Sequence, residues 1–169
     1  MKNLKFGAYT DSTNDFGPVI TKQHQQSVIN HISSAEKQGA NIVVDGRNAI
    51  VSGYENGFYV GGTLIDKVTP QMDSYKAEIF GPVLQIVRVA TMKDAMSLID
   101  NHEYGNGTCI FTRDGEAARY FSDHIKVGMV GVNIPLPVPV AYHSFGGWKR
   151  SLFGAVSYTH LTLPTKNEV

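Results

Sequence analysis

Few side chains in this sequence have both the type and the setting for chemistry. Cys109 is the sole thiol. It lies in Gly107-Thr108-Cys109-Ile110-Phe111, an apolar run, where burial raises a thiol pKa and leaves it inert; it is expected to be a core residue and not a nucleophile. The six histidines stand at 24, 31, 102, 124, 143 and 160. No two form His-x-x-x-His and none clusters with the cysteine, so no metal site is expected. Glu78 and Phe80, in Glu78-Ile79-Phe80-Gly81-Pro82, differ in kind. Alone, Glu78 is a surface carboxylate beside a turn and Phe80 a core aromatic. Together they stand just ahead of the apolar run Val83–Val89, and Pro82 stiffens the entry to it.

The elements that position these residues follow from periodicity and caps. Asp15-Phe16-Gly17-Pro18 reads as a turn. Thr21 can cap a helix whose apolar face carries Val28, Ile32 and Ala35, with Gly39 ending it. Asn41–Val44 is a short strand closed by Asp45-Gly46. Ile50–Val51, Phe58–Val60 and Thr63–Ile65 are further strand candidates. Thr91 and Asp94 form a capping-box start for a helix with Met92, Met96 and Ile99. Thr108–Thr112 and Met129–Asn133 are strands flanking a helix capped by Asp114 and carrying Ala118, Phe121 and Ile125. This β-α-β-α-β order predicts an α/β fold, with a parallel open sheet and helices on both faces. Residues 1–154 are expected to form that domain.

Asn133-Ile134-Pro135-Leu136-Pro137-Val138-Pro139-Val140 places three prolines at alternate positions. Proline cannot donate to a sheet ladder, so the chain leaves the fold here as a stiff extended segment. It either lines a binding channel or serves as a structural linker with Trp148 buried beneath it.

Fifteen basic and fifteen acidic residues balance, leaving no electrostatic footprint for nucleic acid or an anionic membrane. No apolar run approaches the roughly 18 residues of a membrane span. A single cysteine suits a reducing compartment, so a cytoplasmic location is expected, or the mitochondrial matrix in a eukaryote. No Gly-x-Gly-x-x-Gly or P-loop is present to hold phosphates.

Tyr75-Lys76-Ala77-Glu78-Ile79-Phe80-Gly81-Pro82-Val83-Leu84 and Ser144-Phe145-Gly146-Gly147-Trp148-Lys149 resemble the C-terminal half of the aldehyde dehydrogenase superfamily. The resemblance implies that Glu78 accepts hydrogen bonds from the nicotinamide ribose of NAD and that Phe80 packs against the nicotinamide ring. It implies that Pro137, His143, Ser144 and Phe145 line a substrate tunnel. It places the nucleophilic Cys and the dinucleotide-binding half upstream, so this chain is expected to be an enzyme fragment, inactive alone, with no catalytic residue of its own. Asp45-Gly46-Arg47, Tyr104-Gly105-Asn106-Gly107-Thr108, the Pro-Val-Pro loop, Ser144 and Trp148 are similar to the CoA-acylating methylmalonate-semialdehyde dehydrogenases, over about residues 2–154. That branch implies oxidation of methylmalonate or malonate semialdehyde, as in valine catabolism, with NAD as oxidant and coenzyme A as acyl acceptor. Carbon dioxide is lost, leaving propionyl-CoA or acetyl-CoA. It also implies a homo-oligomeric full-length enzyme. A free-acid-forming aldehyde dehydrogenase and a non-catalytic binding module remain the alternatives.

Residues 155–169 fit nothing before them. Ala155-Val156-Ser157-Tyr158-Thr159-His160-Leu161-Thr162-Leu163-Pro164-Thr165 resembles the in-phase translation of a transposon-end sequencing adapter, and the last residues fit an index and a stop codon. The segment is expected to be an artefactual, disordered tail; the alternative is a genuine Thr-rich strand.

Overall fold

The computed structural model describes residues 1–138 and 146–151, in two compact units, Met1–Arg88 and Val89–Val169. His143, Ser144, Phe145 and the whole of 155–169 lie outside the described residues.

The first unit is organised around helix α1, Lys22–Lys37. Thr21 caps it: its hydroxyl oxygen accepts the His24 N–H at 3.1 Å. Val28, Ile32 and Ala35 lie on one face and are each 0% exposed. Beyond the helix Gly39 takes a φ of +98°, which glycine adopts without a Cβ clash. The chain then returns as β1, Asn41–Val44, which pairs antiparallel with β2, Thr63–Asp66, through an irregularity between Ile42 and Val44. A short helix α2, Asp73–Lys76, carries it across to β3, Val83–Gln85, which runs parallel to β2. Ile65, Val60, Val68, Met72 and Ile79 close the core against α1. Burying each such aliphatic side chain fully is worth about 1.5–3 kcal/mol.

The second unit opens with α3, Met92–Asn101, where Thr91 and Asp94 make the reciprocal capping box. β4, Tyr104–Gly105, and β5, Gly107–Ile110, follow. Asp114 caps α4, Gly115–His124, by accepting the N–H groups of Glu116 and Ala117 at 2.9 and 3.2 Å. The crossover through α4 brings in β6, Met129–Val132, parallel to β5 with Cys109 opposite Gly131. β7, Trp148–Lys149, pairs antiparallel with β4. Met96, Phe121, Ile125 and Val127 form this unit's core.

The α/β class is as expected, and both parallel pairs arise across helices. The pairing is nevertheless mixed. Residues 45–62 contain no helix to serve as a crossover, so β2 returns antiparallel to β1; parallel neighbours need a longer connection. Ile50–Val51 and Phe58–Val60 are not strands. The Phe58 carbonyl accepts from Val19 N–H at 3.0 Å, the Tyr59 carbonyl from Gln25 Nε2 at 2.7 Å, and Gly61 N–H donates to Gly46 at 2.9 Å. The Phe58 and Tyr59 carbonyls are thus satisfied without a ladder. Of the Val83–Val89 run, only the first three residues form β3.

Candidate functional site

Residues 77–85 form the rim of a shallow cleft of about 300 Å³ that Ala77, Glu78, Phe80, Gly81 and Gln85 help to line. Glu78 is exposed. Phe80 is 76% exposed, so it is not the core residue its type suggests. Its φ is +53°. A bulky non-glycine residue in that region is uncommon and is retained where its surroundings impose it. The imposing element is α1. His24 Nε2 lies 2.8 Å from the Phe80 carbonyl oxygen. One turn along α1, Val28 packs so closely on Gly81 that a Cβ added there would come within 2.9 Å of Val28 Cγ2. Pro82 then accepts from Thr63 N–H at 2.8 Å, which fixes the entry to β3 on β2. The motif thus displays a carboxylate and an aromatic face on a backbone clamped from behind. That arrangement fits a ribose diol and a flat heteroaromatic ring.

A larger open furrow of about 720 Å³ runs along α1 past Gln26, Asn30, Ser34 and Asp73. Four of its polar residues pair with one another, Gln26 with Asn30 at 3.0 Å and Ser34 with Asp73 at 3.2 Å.

Asp45-Gly46-Arg47 has a structural part. The Arg47 guanidinium donates to Asp45 through Nε and Nη2, at 2.9 and 2.6 Å, and to Glu36 through Nη1 at 2.6 Å. These bonds from Arg47 hold the Asp45 carboxyl below its ordinary value. A Cβ at Gly46 would overlap the Gly61 carbonyl, so glycine there permits two loops to touch.

Within the second unit, Pro137 is half-buried against Gly131, where an added Cβ would lie 3.2 Å from Pro137 Cβ. Gly128, Met129, Val130, Ile134, Leu136 and Pro137 help to line an apolar cleft of about 420 Å³. Cys109 is not fully buried: it is half-exposed in β5, with Sγ 3.3 Å from the Pro135 carbonyl. No residue of β5 is fully buried, because burial by strand type requires a covering layer. Trp148 is 38% exposed, not buried, and sits in β7 paired with β4. No group of three metal-ligating side chains occurs among the described residues, and no helix among them is long and apolar enough to cross a membrane.

Sequence reasoning missed two contacts that shape these sites. His24 to Phe80 spans 56 positions, and Lys149, at φ +59°, donates from Nζ to the Ile99 and Asp100 carbonyls at 2.8 and 3.3 Å. The second caps the C-terminus of α3 with a cation. Neither leaves a local pattern that spacing could detect.

The chain belongs to the aldehyde dehydrogenase family, whose model matches residues 1–163. It is 65% identical over 154 residues to malonate-semialdehyde dehydrogenase of Pseudomonas aeruginosa, covering 91% of this chain and 31% of the relative. The crystal structure of methylmalonate-semialdehyde dehydrogenase (DddC) from Oceanimonas doudoroffii is 78% identical with a TM-score of 0.88, over 90% of this chain and 31% of that one. An NAD complex from Sinorhizobium meliloti 1021, described as a methylmalonate-semialdehyde dehydrogenase, is 57% identical with a TM-score of 0.89, again over 90% and 31%. The chain thus spans about a third of the length of these relatives.

Proposed function

We propose that these residues supply the nicotinamide-contacting edge and part of the substrate channel of an NAD-dependent enzyme. The enzyme oxidises malonate or methylmalonate semialdehyde to acetyl-CoA or propionyl-CoA. Glu78 would accept hydrogen bonds from the ribose hydroxyls and Phe80 would lie along the nicotinamide ring. Pro137, with His143, Ser144 and Phe145, would line the channel. The observation that carries this reading is the exposed, left-handed Phe80 beside the exposed Glu78 carboxylate, clamped by α1. The relatives' names support the substrate class, and the NAD complex supports the cofactor.

When bound, NAD accepts the aldehyde hydride. This chain's residues orient the acceptor: two carboxylate oxygens fix the ribose, and the ring face of Phe80 limits how the nicotinamide can turn. Such fixation lowers a barrier by placing reacting atoms before the step begins. The balance for methylmalonate semialdehyde is one hydride to NAD and the acyl carbon to the coenzyme A sulfur. The carboxylate leaves as carbon dioxide, and the thiol proton takes its place on the adjacent carbon. A homo-oligomer in the cytoplasm, with no nucleic-acid or membrane partner, completes the reading.

Product analysis on an enzyme of the relatives' full length carrying these residues tests it. With NAD, coenzyme A and methylmalonate semialdehyde, propionyl-CoA and carbon dioxide should form in step with NADH. A free carboxylic acid formed equally with and without coenzyme A would overturn it.

A further inference from the structure

We infer that His24 is a positioning residue for nicotinamide binding, acting through the backbone of Phe80. The inference rests on the assignment of Phe80 as a ring contact and adds to it the group that holds Phe80 in place.

The Phe80 carbonyl can only accept, so His24 Nε2, 2.8 Å away, carries the proton and donates. Its own backbone is fixed, because its N–H is bound by the Thr21 hydroxyl at the helix cap. Four residues on, Val28 is 0% exposed and seats against Gly81. Positions i and i+4 share a helix face, so α1 grips two successive residues of the motif with two successive turns. The hydrogen bond fixes the peptide plane after Phe80, and the packing fixes the next Cα. With Ile79 buried on the preceding side, they hold the backbone in which Phe80 keeps its +53° φ and its ring 76% exposed. A phenylalanine with no such restraint relaxes toward negative φ, and its ring leaves the cleft.

The test compares NAD with ADP-ribose, which has the same diphosphate and ribose but lacks the nicotinamide. In the full-length enzyme, His24→Ala should weaken NAD binding about two- to tenfold, the loss of one net hydrogen bond, while leaving ADP-ribose affinity unchanged. His24→Gln, whose side-chain amide can reach the same carbonyl, should recover most of the NAD affinity. Phe80→Ala should reproduce the selective loss. If Phe80→Ala is selective and His24→Ala is not, the positioning role is overturned while the ring contact stands. If Phe80→Ala leaves NAD and ADP-ribose affinity unchanged, the ring contact itself is overturned, and the inference with it. A parallel fall in NAD and ADP-ribose affinity for His24→Ala would reduce His24 to a packing residue and overturn the proposal.

Discussion

Asn133 uses its side chain as one more residue of strand for Thr112. Its Oδ1 accepts the Thr112 N–H at 2.9 Å, and its Nδ2 donates to the Thr112 carbonyl at 3.0 Å. The β5–β6 pair thereby gains two bonds past its last backbone rung, just where the proline-rich segment leaves. Asn133 itself sits at φ +56°, a conformation asparagine tolerates better than most residues. Asn133→Ala removes both bonds and leaves the strained φ. It should cost about 1–3 kcal/mol, read as a lower midpoint in thermal or urea unfolding.

Lys149 joins β7 to the end of α3. Lys149→Met keeps the side-chain length but leaves the Ile99 and Asp100 carbonyls without their cation. The expected cost is about 1 kcal/mol, measured by unfolding, with faster amide exchange across 99–102 than in the parent.

The carboxylates paired with arginine predict an acid weakness. Arg47 holds Asp45, and Arg88 with the Lys67 N–H holds Asp66, each below its ordinary value of 3.8. A depressed carboxyl contributes stability above its unfolded pKa and loses it as pH falls through the folded value. The unfolding midpoint should therefore drop as pH falls below about 4, the unperturbed carboxylate range. In Asp45→Asn part of that drop should disappear. An identical pH profile in parent and variant would remove Asp45 from the account.

What could be read in advance was what local chemistry determines. Thr21, Thr91 with Asp94, and Asp114 cap their helices as their types require, because a cap is decided within three or four residues. The β5–α4–β6 unit is likewise local. The outward turn of Phe80 was implied by the family resemblance but not legible in residue type, which favours burial; the restraint comes from His24, on another element. Phe58–Val60 look like a strand because they are apolar, yet the Phe58 and Tyr59 carbonyls accept from the Val19 N–H and the Gln25 side chain. Cys109 was expected to be buried, since its neighbours in sequence are apolar; whether another layer covers a strand is a tertiary fact.

The central claim, that Glu78 binds the ribose of NAD, is tested most directly by the single-turnover rate of NADH formation in full-length Glu78→Gln. The change keeps the shape and removes the charge, and a bond to a charged group is worth about 1.5–3 kcal/mol. The rate should fall about 10- to 100-fold with the unfolding midpoint unchanged. An unchanged rate together with unchanged NAD affinity would contradict the claim and leave Glu78 an ordinary surface carboxylate.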